Sequence, residues 1–490
     1  MAIRTLGILC VVLLTVPLGA LAGDDSKSAA LHEYLTRLES FGFAGIIAIS
    51  QNGLPIFVQG YGLANREQAV AWSPATVSTI GSITKQFTGA AVLRLQEQGK
   101  LSTGDLITKY FENVPQDKRS ITLRQLLTHS SGIVDLADAG DFDAIDRDEF
   151  IRRAMGQELA FPPGEEYDYS NAGYSLLGAI IEQITGDSYE TFLRRELLAP
   201  NGLYETGYLQ PSWGEGRLAQ GYTDEERWGS VLERPFAEDG PYWVLRANGG
   251  IHSTVYDMLR WGQALLDDRV LSAPSMKEYW APHVDEGGGS HYAYGWVVDE
   301  IADQKVITHN GGNGIFFADM AMVPEAGLVI FLQTNVRSSL PMVEGLLYPI
   351  LETWLTGESL PPIPAKIPVD DSQLAPVTGT YRLAGGGELS ISLAEGTLVV
   401  APQDSDAFAW LLSTRPVDIE RTQKLSARID AIVDAFLQGD FKPLWDAYGR
   451  RVTLEYLAQT LEGRMQSLVE NTAHSNVTRP WAPRYEPNVR

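Results

Sequence analysis

A chain of 490 residues, 44% of them hydrophobic and 20% charged, has ordinary globular composition and enough apolar sequence for a large buried core. Its formal net charge of −24 at pH 7, with no basic cluster to offset it, opposes binding to nucleic acid or to an anionic membrane surface. The single cysteine, Cys10, excludes a disulfide, a cysteine nucleophile and a thiolate metal site from everything that follows it.

Residues 1–22 read as an export signal. Arg4 supplies the positive start, "LGILCVVLLTVPLGALA" the apolar run, and Ala20 to Ala22 a small-x-small cleavage site. The run is short for a membrane span, Pro17 interrupts it, and acidic residues follow at once. The expectation is an exported protein, periplasmic or extracellular, with no stable membrane insertion once the signal is removed. Strands are expected near 44–50 and 55–62, joined at Asn52-Gly53, a pair suited to the positive dihedrals of a tight hairpin.

The spacing of Phe87, Ala91 and Leu95 predicts a helix from Thr84 to Gln98 closed by Gly99, with Ser82 at its mouth. A second helix is expected in "YSNAGYSLLGAIIEQITGD", where Tyr174, Leu177, Ile181 and Ile184 recur at helical spacing. Strand character returns in "YAYGWVVDE", "KVITHNGG", "GIFFADMAMV" and "GLVIFLQTN". Strands at both ends with helices between them predict an α+β fold, an antiparallel sheet flanked by helices plus a largely helical lobe.

The expected organisation is a signal peptide 1–22, a main domain 23–360, a Pro-rich linker 361–371 and a C-terminal accessory domain 372–490. That last part opens with alternating strands in "GTYRL" and "GELSISLAEGTLVVAP" and continues as an amphipathic helical segment from Thr422 to about Asn471.

Three short patterns, each occurring once, carry the chemistry. Ser82 stands three residues before Lys85, so both share a face of the helix that follows Gly81. A serine becomes a nucleophile beside a base, and a lysine becomes a base when desolvation or a nearby positive charge lowers its pKa. Tyr169-Ser170-Asn171 precedes the second helix in a loop able to present two polar side chains. His309-Asn310-Gly311 ends a strand, where glycine lets a ligand approach the backbone closely. Taken singly, these residues read as a helix cap, a solvated lysine, a packed aromatic and a surface histidine. Taken together and in this order, they point to a site.

On these patterns, supported by "LLTHSSGI", "PPGEEYDYSN" and "NGGIHSTVYDM", the sequence resembles the serine β-lactamase-like superfamily over residues 30 to 355. That superfamily includes class C β-lactamases, DD-peptidases, D-aminopeptidases and related esterases. The resemblance implies that Ser82 is the acylated nucleophile. Lys85 would take or relay its proton, with Tyr169 in phenolate-like contact as partner base and later acid to the leaving group. It implies that Asn171 holds Lys85 and the substrate amide, and that His309 and Gly311 replace the family's K-T-G motif, with His309 setting local charge and touching substrate. The backbone N–H groups of Ser82 and Gly312 would form the oxyanion hole.

The H-x-G variant goes more with peptidases and other hydrolases than with efficient β-lactamases. No glutamate stands four residues before an asparagine near Tyr169, so class A deacylation through a glutamate-bound water is not expected. The function expected is an exported serine hydrolase acting through an acyl-enzyme, on amide bonds of D-amino-acid-containing peptides in preference to esters. A carboxylesterase or β-lactamase of the same fold is the first alternative; a low-turnover protein that captures an acyl group is the second.

The nucleophile-elbow pattern G-x-S-x-G is absent, as is any phosphate-binding G-x-x-x-x-G-K-[ST]. Histidines 32, 129, 252, 283, 291, 309 and 474 form no H-E-x-x-H, so neither a metal nor a cofactor is expected, and His129 and His252 read as structural. The sequon at Asn476 carries little weight. The only partner implied is a small-molecule or peptide substrate; nothing indicates an oligomeric state.

Overall fold

Strand β1 (Gly45–Gln51) turns into β2 (Leu54–Tyr61) through Asn52 and Gly53, whose φ angles of 50° and 76° are the left-handed pair that a tight hairpin requires. The computed structural model describes residues 24–223, 226–337, 343–363, 375–382, 387–394 and 397–403. The signal-like segment 1–22, most of the Pro-rich linker, the helical segment 422–471 and Asn476 lie outside these residues.

The remaining strands of the main sheet lie far along the chain, between Val284 and Thr334. They are β3 (Val284–Gly287), β4 (Ser290–Tyr292), β5 (Val297–Ile301), β6 (Gln304–Gly312), β7 (Phe317–Val323) and β8 (Leu328–Thr334). All neighbours are antiparallel in the order β3-β4-β5-β6-β7-β8-β1-β2. Pairing of Gly45 with Thr334 therefore joins the two ends of the segment in one sheet, as the α+β expectation required.

Both faces of β1 are covered, and its side chains alternate between two cores. Ile46 and Ala48 face helices α2 (Thr84–Glu97), α3 (Asn171–Thr185) and α4 (Val255–Leu266), packing in one cluster with Phe87, Leu177 and Trp261. Ile47 and Ile49 face α1 (Asp24–Glu39) and α5 (Leu347–Thr356), joining Leu31, Leu35, Ile350 and Leu351. Each fully buried aliphatic side chain of this kind contributes about 2 kcal/mol of transfer free energy.

The helix faces read from spacing are buried: Phe87, Ala91 and Leu95 in α2, and Tyr174, Leu177 and Ile181 in α3. Helix α3 starts as its sequence suggests, with Ser170 capping the Gly173 N–H, and stops at Gly186 in the left-handed conformation. Helix α2 starts at Thr84, as its sequence predicts. Just before it, Gly81–Ile83 form a separate 3-10 turn that carries Ser82. Its hydroxyl is engaged by Lys85 and caps no backbone group.

The stretch "YAYGWVVDE" is not the single strand expected of it. Tyr292 ends β4, Gly295 turns the chain with φ of 83°, and β5 begins at Val297. The short polar hairpin β3–β4 has no apolar alternation to betray it. Further along, β9 (Gly379–Arg382), β10 (Glu388–Ala394) and β11 (Thr397–Pro402) pair antiparallel in a separate three-stranded sheet.

Candidate active site

Two backbone segments meet with almost no space between them. A Cβ at Gly311 would stand 2.4 Å from the Ser82 backbone nitrogen and 2.3 Å from the Ile80 carbonyl oxygen. A Cβ at Gly81 would stand 2.6 Å from the Gly312 nitrogen, and Gly81 also holds a φ of 51°. Only glycine fits either place. The turn carrying Ser82 is thereby pressed against the end of β6, which puts the Ser82 and Gly312 backbones side by side. From the other flank, the Ile80 N–H donates to the Ile251 carbonyl at 2.8 Å, tying the same turn to the "NGGIHS" segment.

Lys85 lies one turn further on, fully buried, with its Nζ 3.0 Å from Ser82 Oγ. The same nitrogen is 2.7 Å from Asn171 Oδ1 and 2.9 Å from the Asn248 carbonyl oxygen. Burial lowers its pKa to about 7, opposed by the nearby carboxylates Asp135 and Asp141. A neutral amine has two N–H donors and one lone pair. With both donors directed to Asn171 and Asn248, the lone pair faces the serine hydroxyl. The amide of Asn171 is oriented by Asp135, whose Oδ2 accepts from Asn171 Nδ2 at 3.0 Å and whose Oδ1 accepts from the Ala172 N–H at 2.8 Å. Asn171 is therefore the first residue of α3 and no cap; Ser170 takes that part.

Tyr169 stands over Lys85, its ring centroid 4.7 Å from Nζ, with its hydroxyl in contact with that of Ser82. The ring is half-buried and packs on His129 at 4.2 Å between centroids. Desolvation raises the phenol above its ordinary value despite the Ser82 hydrogen bond, so it is a neutral phenol in the free protein, which departs from the phenolate-like contact.

His309 is buried at the end of β6. Its Nδ1 lies 2.5 Å from the Asn310 carbonyl, an acceptor only, and its Nε2 lies 2.9 Å from the Tyr292 hydroxyl. Nδ1 thus carries the proton and Nε2 accepts from Tyr292. Burial first and the Lys85 ammonium second depress its pKa to about 3. A histidine so held is uncharged at neutral pH, so it supplies a hydrogen-bonding edge and no fixed positive charge, contrary to the charge-setting expected of it.

Of the structural histidines, His129 adopts a φ of 56° and accepts the Ser170 N–H at 3.0 Å, fixing the loop that presents Tyr169 and Asn171. His252 is buried against Trp213 with a ring-centroid distance of 5.6 Å.

The structure brings Ser82, Lys85, Tyr169, Asn171, His309, Gly311 and Gly312 together from three separate stretches of chain. Sequence reasoning missed Asp135, Asp141, Tyr292 and the Asn248 carbonyl. A backbone oxygen leaves no sequence signal, and the two aspartates sit in a loop rich in ordinary acidic residues. The small cleft over Ser82 is lined by Thr79, Asp141, Asn171, Leu245, Gly312 and Asn313 among others. A roomier groove beside Tyr110, Arg147 and Met155 shares no residue with it and holds none of these groups. Among the described residues no group of three or more His, Cys, Asp or Glu is arranged to hold a metal ion, and no helix is long and apolar enough to cross a membrane.

Fold and sequence together define a class, the proteins of beta-lactamase family and fold. Residues 36–353 match the beta-lactamase family, and the chain belongs to that family. It is 32% identical over 261 residues to PbpX of Bacillus subtilis, a match covering 53% of this chain and 63% of that protein. The chain thus spans less than two thirds of the length of this relative. The octameric penicillin-binding protein homologue from Pyrococcus abyssi superimposes with a TM-score of 0.61 at 24% identity, over 76% of this chain and 89% of that one. The D-amino acid amidase from Ochrobactrum anthropi SV3 superimposes with a TM-score of 0.57 at 22% identity, over 68% of this chain and 99% of that one. At these identities the two structures speak for the fold.

Proposed function

We propose that this protein is an exported hydrolase that cleaves amide bonds of D-amino-acid-containing peptides through an acyl-enzyme on Ser82. The observation that carries this reading is the buried Lys85 amine, 3.0 Å from Ser82 Oγ, whose pKa burial lowers to about 7. Neutral Lys85 takes the Ser82 proton as Oγ attacks the substrate carbonyl carbon. The oxyanion is received by the backbone N–H groups of Ser82 and Gly312. The proton then passes from the Lys85 ammonium through the Tyr169 hydroxyl to the leaving nitrogen, and the C–N bond breaks. Water then gives a proton to Lys85 as its oxygen bonds to the acyl carbon; the Oγ–acyl bond breaks, and Lys85 returns that proton to Ser82 Oγ, releasing the acid.

In this reading Asn171 holds Lys85 and the substrate amide, while His309 and Gly311 form the opposite wall. Residues 1–22 are the export signal, 23–360 the hydrolase domain, 361–371 a linker and 372–490 an accessory domain. The likeness of fold to a D-amino acid amidase and a penicillin-binding protein homologue supports an amide in preference to an ester.

The test is the intact mass of the mature protein after brief exposure to benzylpenicillin, beside Ser82→Ala, with the drug followed in the same tube. A lasting adduct on the wild type alone supports a slowly deacylating peptidase. Rapid loss of drug that depends on Ser82 makes the protein a β-lactamase. Intact drug with no adduct directs the reading to an aminopeptidase or esterase. Acylation retained in Ser82→Ala overturns the nucleophile assignment.

A further inference from the structure

The serine-hydrolase reading leaves the charge of the substrate open, and the walls of the cleft speak to it. Thirteen residues line the space over Ser82, Thr79, Asp141, Phe142, Leu245 and Asn313 among them. Among them Asp141 alone has an ionisable acid or base side chain. No lysine or arginine lines the cleft among the described residues. His309 beside it is neutral, and Lys85 lies beneath the serine with its nitrogen already engaged.

Asp141 is held in place. Its loop is closed by the Asp143 N–H donating to the Gly140 carbonyl at 3.0 Å and by the Gly140 N–H donating to Asp143 Oδ2 at 3.1 Å. The next side chain, Phe142, packs on Trp228 with ring centroids 5.9 Å apart. The Asp141 carboxylate itself makes no hydrogen bond or ion pair among the described residues. Partial desolvation in the cleft raises its pKa, Lys85 pulls it back down, and the neighbouring Asp135 carboxylate raises it again. The residue as a whole stays exposed, and water reaching it supports the ionised form at neutral pH.

We infer that Asp141 is a specificity-determining residue that binds a protonated amine on the acyl side of the substrate, so that the preferred substrate is an amide of a D-amino acid with a free α-amino group. An α-ammonium offers three N–H donors to a carboxylate that has acceptor sites to spare. A substrate carrying a terminal carboxylate meets the opposite situation, like charge without a counter-ion. This inference rests on the serine-hydrolase reading and narrows it from peptidases in general to those of aminopeptidase or amidase type.

Three p-nitroanilides separate the cases at pH 7: D-alanine, cationic; N-acetyl-D-alanine, neutral; and N-succinyl-D-alanine, anionic. In the wild type kcat/KM should favour the cationic over the neutral compound by about tenfold, the factor that corresponds to about 1.4 kcal/mol. In Asp141→Asn that ratio should fall to near one, and Asp141→Lys should turn the preference toward the succinyl compound. Ratios within one variant cancel any change that Asp141 makes to Lys85. A wild-type ratio at or below one, or a ratio that Asp141→Asn leaves unaltered, overturns the inference. The acylation of wild-type Ser82 by p-nitrophenyl acetate, small and uncharged, is followed by mass alongside. An acetyl adduct with no amine preference, or with none of the anilides cleaved, sinks the cation site and leaves the serine hydrolase standing. No adduct at all sinks the serine-hydrolase reading and this inference with it.

Discussion

The two faces of the main sheet are built from opposite chemistry. The face under α1 and α5 is filled by Leu31, Leu35, Ile47, Ile330, Leu346, Ile350 and Leu351, with Asp319 as a buried acid on the same side of β7 by alternation. Burial holds that carboxyl well above its ordinary value. The face under α2, α3 and α4 is just as buried, yet it carries Lys85, Thr88, Ser175 and Asn248 in its interior. Each has partners: Thr88 Oγ1 donates to the Ala247 carbonyl, Ser175 Oγ to the Arg246 carbonyl, and Asn248 Nδ2 to Ser175 Oγ. Polar burial is tolerated only when satisfied, and it stabilises less than apolar packing of the same volume. One face therefore holds the molecule together, while the other spends part of its packing on a desolvated amine.

That contrast can be broken from the active face first. Ser82→Ala should abolish acylation, read by intact mass, while the thermal midpoint stays within a degree or two of the wild type, because the hydroxyl is half-exposed and caps nothing. Lys85→Met should lower the acylation rate by about a thousandfold, the usual weight of a positioned base. Leu351→Ala, on the other face, should behave in the reverse manner. It should cost about 3 kcal/mol in denaturant unfolding and leave the acylation rate of the folded protein unchanged.

Two smaller effects sharpen the picture. Lys85 has a pKa of about 7 in the fold against 10.5 ordinarily, so from pH 7 to 9 the unfolded chain binds more protons than the folded one. Wild-type stability should therefore gain a rising component across that window, one that Lys85→Met lacks; equal slopes would mean that Lys85 is not desolvated. Acylation should rise through pH 7 as the amine loses its proton, with no second ionisation from His309, which is already neutral above about 3. Smallest is Tyr292→Phe. It removes the donor to His309 Nε2 and should cost about 1 kcal/mol in stability and a few-fold in rate, measured by denaturation and by acylation in parallel.

Much of this was legible in the chain. The hairpin at Asn52-Gly53, the buried faces of α2 and α3 and four of the six later strands rest on local periodicity and turn chemistry, which sequence displays directly. The β3–β4 hairpin was not legible, because strands of three or four polar residues have no periodicity to detect. The start of α2 at Thr84 was legible, but the use made of Ser82 just before it was not. Serine is a good cap by propensity, but here its hydroxyl is claimed by Lys85, and a tertiary contact outweighs a local preference.

Sequence by itself determined which residue types could do chemistry here and in what order: Ser82 and Lys85, Tyr169 and Asn171, His309 and Gly311. Tertiary structure alone decided their electrostatics. Whether Lys85 is a solvated ammonium or a base depends on the walls that remove its water. Whether His309 carries charge depends on the Asn310 carbonyl, the Tyr292 hydroxyl and the nearness of Lys85. Whether Asp141 is an ordinary loop acid or the one carboxylate among the described residues lining a cleft depends on where a turn is folded. Protonation follows desolvation and distance, and both are set by residues far apart in the chain.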